Sequence, residues 1–169
     1  MIITPKDLKA RFAYQFSGKH LGRTHFRGWF PVFAKLCEDV DELLGEDKRG
    51  FNWLQIKEKW GTGHFYWEMQ GSSTLRLDLR SPGQLTSIRI LEQAAGSAQP
   101  SLAERITDLV RRAERETVTQ CIVCGQPATI SDEEAWVLAL CDKHAQVRRT
   151  ADNWSAWMKE HALFPPEEQ

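Results

Sequence analysis

Three of the chain's four cysteines fall in one short stretch that closes on a histidine. Cys121-x-x-Cys124 is followed, after sixteen residues, by Cys141-x-x-His144. Each pair, carried on a tight turn, offers two soft or borderline donors, and two such pairs complete the tetrahedron that zinc prefers. Gly125, directly after the first pair, helps the chain turn back, and the second pair follows the strand-like "WVLAL" and opens the last helical segment. Knuckle, hairpin and then helix is the order of a treble-clef or zinc-ribbon-like finger. The same residues also admit a cysteine cluster without metal, or a disulfide in an oxidising compartment. A catalytic zinc keeps one position open for water, usually near a general base. Three thiolates and an imidazole close the shell and leave the ion a poor Lewis acid, so the expected role of zinc is structural and no catalytic residue is assigned. Glu133 and Glu134 lie between the ligand pairs, but nothing marks either as a base. Cys37, alone on a helical stripe, reads as core.

The elements that position these donors must come from 169 residues, enough for one ordinary domain or a domain with a small appendage. With 41% hydrophobic residues a real core can be filled. A formal charge of −1 advertises no nucleic-acid partner through a global basic field. The longest apolar run, "AWVLAL" at 135–140, is too short to span a bilayer, and "MIITPKDLKARF" has no signal-peptide pattern. A soluble cytoplasmic protein is therefore expected, where clustered cysteines are more often metal ligands than disulfides.

Period and punctuation predict an α+β fold. Thr4, Pro5 and Asp7 are a helix start, with Leu8, Phe12 and Phe16 on one face up to Gly18. Residues 17–28 read as a loop carrying Lys19, His20, Arg23, His25 and Arg27. A second helix is expected from about Pro31 to Leu44, with Phe33, Leu36, Cys37, Val40, Leu43 and Leu44 inward and Gly45 as its stop. The period then changes to two, and four strands follow: two aromatic-rich runs around "KWGTG", then "TLRLDLR" and "LTSIRILE" on either side of the "SPGQ" turn. These predict a four-stranded antiparallel meander packed on helices. Residues 93–100 read as a small-residue linker, which divides an α+β part at 1–100 from a part at 101–169 packed against it as one unit. In the second part Ser101 and Glu104 are a capping box, Leu102, Ile106, Leu109, Val110 and Ala113 make a stripe, and a last helix runs from His144 to about Leu163 before Pro165–Pro166.

The aromatic hairpin is the other unusual stretch. Trp53, Ile56, Phe65 and Trp67 are expected in the core, with Lys57, Glu58 and Lys59 solvated. A two-residue period cannot bury every ring, so Trp60 and Tyr66, flanked by Lys57 and Lys59, are a candidate partner-binding surface. The chain also resembles an uncharacterised family of small phage and bacterial proteins. The resemblance rests on Gly28-Trp29, Gln55-Ile56-Lys57-Glu58-Lys59-Trp60-Gly61, Phe65-Tyr66, Cys121-x-x-Cys124-Gly125 and Cys141, and covers roughly residues 28–144. Trp60 stands where that family usually has phenylalanine, "TGH" replaces a more basic turn, residues 70–100 are longer, and His144 takes a place often held by cysteine. The resemblance implies a zinc-supported α+β scaffold from phage or mobile DNA, and no particular activity.

Function is thus expected to be non-enzymatic: a zinc-stabilised protein-binding module, an anti-defence or toxin-neutralising inhibitor acting on a bacterial protein. The alternative is nucleic-acid binding through a local basic patch of Arg105, Arg112, Arg115, Arg148 and Arg149, with Arg111, Lys143 and the 19–27 loop nearby. Against it, Asp108 is placed to pair with Arg112, and Glu104, Glu114 and Glu116 dilute the charge. A nuclease built on His20, His25 or His64 with a second metal lacks the converging carboxylates that such chemistry needs.

Overall fold

The computed structural model describes residues 4–70, 74–81, 84–91, 99–131, 136–165 and 168, with 74–81 and 84–91 as backbone strands. Most of the expected linker (93–98), the turn residues Pro82 and Gly83, Glu133, Glu134 and Pro166 lie outside the described residues.

The chain enters through α1 (Pro5–Arg11), where the Thr4 hydroxyl accepts the Asp7 N–H at 3.2 Å and the Asp7 carboxylate accepts the Thr4 N–H at 3.0 Å. The helix ends earlier than the apolar spacing predicts and tightens into a 3₁₀ turn, Ala13–Phe16. Gln15 explains the change. Its fully buried amide donates to the Cys37 carbonyl at 2.9 Å and accepts the Trp53 indole N–H at 2.9 Å, which ties three elements together. α2 (Phe30–Leu44) buries Phe30, Phe33, Leu36, Cys37 and Val40 along its inner face and stops at Gly45, whose φ of 62° suits glycine.

β1 (Asn52–Lys59) and β2 (Thr62–Glu68) form an antiparallel hairpin closed by Trp60 and Gly61. Both turn residues have positive φ, 53° and 76°, as a tight two-residue hairpin turn requires. An irregularity between Trp53 and Gln55 shifts the alternation, so Trp53 and Ile56 both face the core. Phe33 sits at the centre of this core, with ring centroids 5.2 Å from Trp53, 5.1 Å from Phe65 and 5.4 Å from His25.

The expected four-stranded meander is not one sheet. β3 (Thr74–Ser81) pairs with β4 (Gln84–Leu91) in a separate antiparallel hairpin. Both edges of the first hairpin are already engaged. On the β1 side, Thr24 donates to the Ile56 carbonyl at 2.9 Å and Ile56 donates to the Gly22 carbonyl at 3.0 Å. On the β2 side, Gly63 and Phe65 donate to the side chains of Thr117 and Glu114, at 2.9 and 3.1 Å. Among the described residues these bonds occupy both edges where a third strand would pair. Period-two reasoning could not foresee edges taken by a loop and by helix side chains.

Those side chains belong to α3 (Leu102–Val118), which starts at the expected Ser101–Glu104 capping box. It packs Ile106, Val110 and Ala113 into the same core as α2 and the first hairpin. A second, smaller core gathers Trp29 with Ile122, Leu138, Leu140 and Met158. The expected long last helix is two: α4 (Asp142–Thr150) and α5 (Trp154–His161). Ala151 is extended between them, and the Asn153 side chain caps α5 by accepting the Ala156 N–H at 2.9 Å. Among the described residues no helix is long and apolar enough to cross a membrane.

His25 has moved from loop candidate to core residue. It is 3% exposed and lies against Phe30 and Phe33. Burial, then the charges of Lys9 and Arg23, push its pKa down to about 3. The unfolded imidazole binds its proton near 6.5, so between these values the unfolded state holds more protons and stability falls as pH falls. The melting temperature should therefore drop as pH is lowered from about 6.5 towards about 3, and His25→Phe should flatten that slope. An unchanged slope in the variant would contradict a neutral, buried His25.

Candidate metal centre

The donors are placed by two tight turns. After α3, Cys121 N–H donates to the Gln126 carbonyl and Gly125 N–H donates to the Cys121 carbonyl, each at 2.8 Å. This folds the first pair into a knuckle. Gly125 closes it with a φ of 73° that a side chain would strain. β5 (Thr129–Ser131) and β6 (Leu138–Leu140) then form a short hairpin that delivers the chain to Cys141. Cys141 is the extended residue that precedes α4, and His144 lies in that helix's first turn.

The four donor atoms converge, all within 4.8 Å of one another. His144 Nδ1 lies 3.3 Å from Cys121 Sγ, 3.5 Å from Cys124 Sγ and 3.2 Å from Cys141 Sγ. Cys124 and Cys141 sulfurs are 3.8 Å apart. An ion about 2.3 Å from each thiolate and about 2.0 Å from the imidazole, with tetrahedral angles, sets S···S at about 3.8 Å and S···N at about 3.5 Å. The cluster fits a four-coordinate metal. Burial raises the Cys121 thiol to about 11, so binding a cation must expel that proton. Burial also disfavours the Cys141 thiolate, but N–H donation from His144 and the neighbouring thiols outweigh it, and that thiol lies below its ordinary value. His144 is lowered by burial and by Lys143, which keeps its lone pair available.

The knuckle is docked on the rest of the chain by Gly28 and Trp29. Gly28 donates to the Ile122 carbonyl at 3.0 Å, and a Cβ placed on Gly28 would lie 2.0 Å from the Cys121 carbonyl oxygen. Only glycine permits this approach. The Trp29 indole donates to the Gln120 carbonyl at 2.8 Å, and Arg27 N–H donates to the Ala162 carbonyl at 2.7 Å. A second contact reaches the aromatic hairpin. The Glu58 carboxylate, read from sequence as solvated, accepts Gly61 N–H through one oxygen and Trp136 Nε1–H through the other, both at 2.8 Å. Burial raises its pKa, while these two donors oppose the rise. No spacing rule singles out Glu58; only its place two residues before the left-handed Trp60 could have hinted at it.

The other candidate residues fare differently. Trp53, Ile56, Phe65 and Trp67 are buried, as the alternation of the hairpin leads one to expect. Lys57 Nζ lies 4.8 Å from the Tyr66 ring centre and Lys59 Nζ 4.3 Å from that of Trp60, so the four form two cation–π pairs. All four are half-buried. Ile130, 40% exposed, packs against Gly61 at the turn, and Trp136, 37% exposed, is held by Glu58, so the finger extends this face.

The basic patch is less than the sequence suggests. Arg148 is 5% exposed and donates to the Trp136 carbonyl, so it does not present its charge outward. Arg23 donates to the carbonyls of Trp53 and Phe16 and to Asn52, and Arg27 to the carbonyl of Leu163. Arg105 and Arg112 line a groove between α2 and α3 together with Asp39, Glu42 and Asp108. Asp108 meets Arg111 at 3.5 Å, one residue away from the expected Arg112. Arg115 and Arg149 are exposed.

Two outcomes follow from the docking. Gly28→Ala should cost about 1–3 kcal/mol or more, because its Cβ meets backbone that cannot rotate away; a thermal melt within error of the parent would contradict the contact. With a divalent ion held by the four donors, a chelator, or Cys121→Ser, should lower the melting temperature and free the residues after 118 for hydrogen exchange first. Full stability after chelation would contradict a metal-braced finger.

No family model matches the chain, and neither the curated proteins nor the solved structures yield a match.

Proposed function

We propose that the bound ion is zinc, that the finger is a treble clef, and that the chain is a non-enzymatic protein-binding module. The observation that carries this reading is the donor set itself: three sulfurs and one nitrogen within 4.8 Å of one another, with the imidazole nitrogen 3.2–3.5 Å from each sulfur and Cys124 and Cys141 3.8 Å apart. A shell filled by protein has no position for water or substrate, and three thiolates leave little Lewis acidity. The order of knuckle, hairpin and helix opening on the second ligand pair supports the treble clef.

The face that recognises a partner is the β1–β2 turn, with Lys57, Lys59, Trp60 and Tyr66. Trp60 supports this choice by its conformation. A bulky residue at a φ of 53° costs about 1–2 kcal/mol over an ordinary backbone. Asn or Gly would form the turn more cheaply, so a tryptophan here points to a use for its ring. The resemblance to small phage and bacterial proteins favours an inhibitor carried by mobile DNA, anti-defence or toxin-neutralising, whose target is a bacterial protein in the cytoplasm. The nucleic-acid alternative keeps Arg105, Arg112, Arg115 and Arg149 but loses Arg148 to the interior, and carboxylates share the α2–α3 groove.

Trp60→Gly separates the two roles of that residue. Glycine relieves the left-handed turn while removing the ring. Capture of the bacterial partner should weaken by roughly tenfold or more, about 2 kcal/mol as for an interface hot spot, with the melting temperature unchanged or raised. Undiminished capture with a lower melting temperature would make Trp60 a structural residue instead. Binding that survives a rise in salt favours a protein partner, whereas a steep log–log loss would favour nucleic acid.

A further inference from the structure

The four donors are not equally sheltered. Cys121 is 0% exposed and His144 is 7% exposed, whereas Cys124 is exposed and Cys141 half-buried. The two outer sulfurs border an open groove of about 660 Å³, floored by Pro127, Thr129 and Lys143. They stand 3.8 Å apart. A disulfide needs about 2.05 Å between its sulfurs, so a closing movement of under about 2 Å would join them. Cys121 is thus the donor shut away from this groove, His144 reaches it by an edge, and its open side is made of two adjacent thiolates.

We propose that Cys124 is an oxidative modification site, and that it and Cys141 close into a disulfide when hydrogen peroxide enters this groove. The inference rests on the proposed zinc loading of the site but not on the protein-binding role. The Cys124 thiolate attacks one peroxide oxygen; an S–O bond forms, the O–O bond breaks, and hydroxide leaves and is protonated to water. The Cys141 thiolate then attacks the Cys124 sulfur, forming the S–S bond and expelling the second oxygen as water after protonation. Two electrons pass from two sulfurs to one peroxide, and two protons are taken up. The divalent ion keeps its oxidation state. Cys121 and His144 alone are left as donors, and two donors hold zinc far more weakly than four. The knuckle that Gly28 clasps and the start of α4 lose their common anchor together.

The test uses the full zinc-loaded chain in thiol-free buffer. Zinc content is determined first; hydrogen peroxide is then added, and a chromogenic chelator reads zinc release while peptide mapping locates the disulfide. The expected result is release in step with a Cys124–Cys141 disulfide, with the buried Cys37 still a thiol, and reversal by dithiothreitol plus zinc. A parallel labelling with limiting iodoacetamide should modify Cys124 at least about tenfold faster than Cys121, since access governs thiolate reactivity here. Equal labelling of the two, or a disulfide mapped to Cys121, overturns the proposal. A loaded sample that keeps both its zinc and its thiols overturns the oxidation site alone; a sample that never holds zinc overturns the zinc reading as well.

Discussion

Three sulfurs and an imidazole nitrogen gathered within 4.8 Å repel one another as the thiols ionise, and a cation among them turns that repulsion into attraction. The elements around them are slight. β5 and β6 have three residues each, α4 has nine and α5 has eight. Helices and hairpins of that length do not hold their shape alone in water. The second core adds a handful of buried side chains, among them Ile122, Leu138 and Met158. Structural zinc sites bind with about 10–16 kcal/mol of apparent free energy. On the proposed reading, that binding is the largest single contribution to the order of the C-terminal third.

The order so gained is passed on through several contacts, two of which reach the first core and the aromatic hairpin directly. Gly28 lies against the knuckle backbone, and Trp29, at the start of α2, joins the finger's own core. Glu58 spans from the β1–β2 turn to Trp136. The proposed recognition turn therefore has support from both sides: Phe33 and its ring partners beneath the strands, the finger beside their tip. Thr117 and Glu114 hold the outer edge of β2 from α3, while the 21–24 loop holds β1. A hairpin with both edges engaged can carry a strained residue at its turn, because the surrounding contacts fix the turn's geometry.

Much of this was legible in the residues. The Thr4–Asp7 and Ser101–Glu104 boxes, the α2 stripe and the metal-ligand spacing all carry local signals, and the structure follows them. What escaped the sequence is what depends on distant partners. Gln15 turns inward because Cys37 and Trp53 wait for it, and α1 shortens in consequence. The four strands form two separate hairpins, and the edges of the first bond to α3 side chains and to a loop. Arg148 looks like a surface cation until the Trp136 carbonyl is placed beside it. The break between α4 and α5 was readable after all, since Asn153 is a strong helix-starting residue within "ADNW". Of the functional site, the donors could be read directly, whereas their unequal exposure and the docking of Gly28 required coordinates.

On the proposed reading, protein atoms fill every position around the ion, and the rest of the structure depends on that closed shell. X-ray absorption at the zinc edge of the purified, metal-loaded chain tests it most directly. The expected first shell is three sulfurs at about 2.3 Å and one nitrogen at about 2.0 Å. A shell containing a water oxygen, or fewer than three sulfurs, would contradict a closed structural site and reopen the case for catalysis.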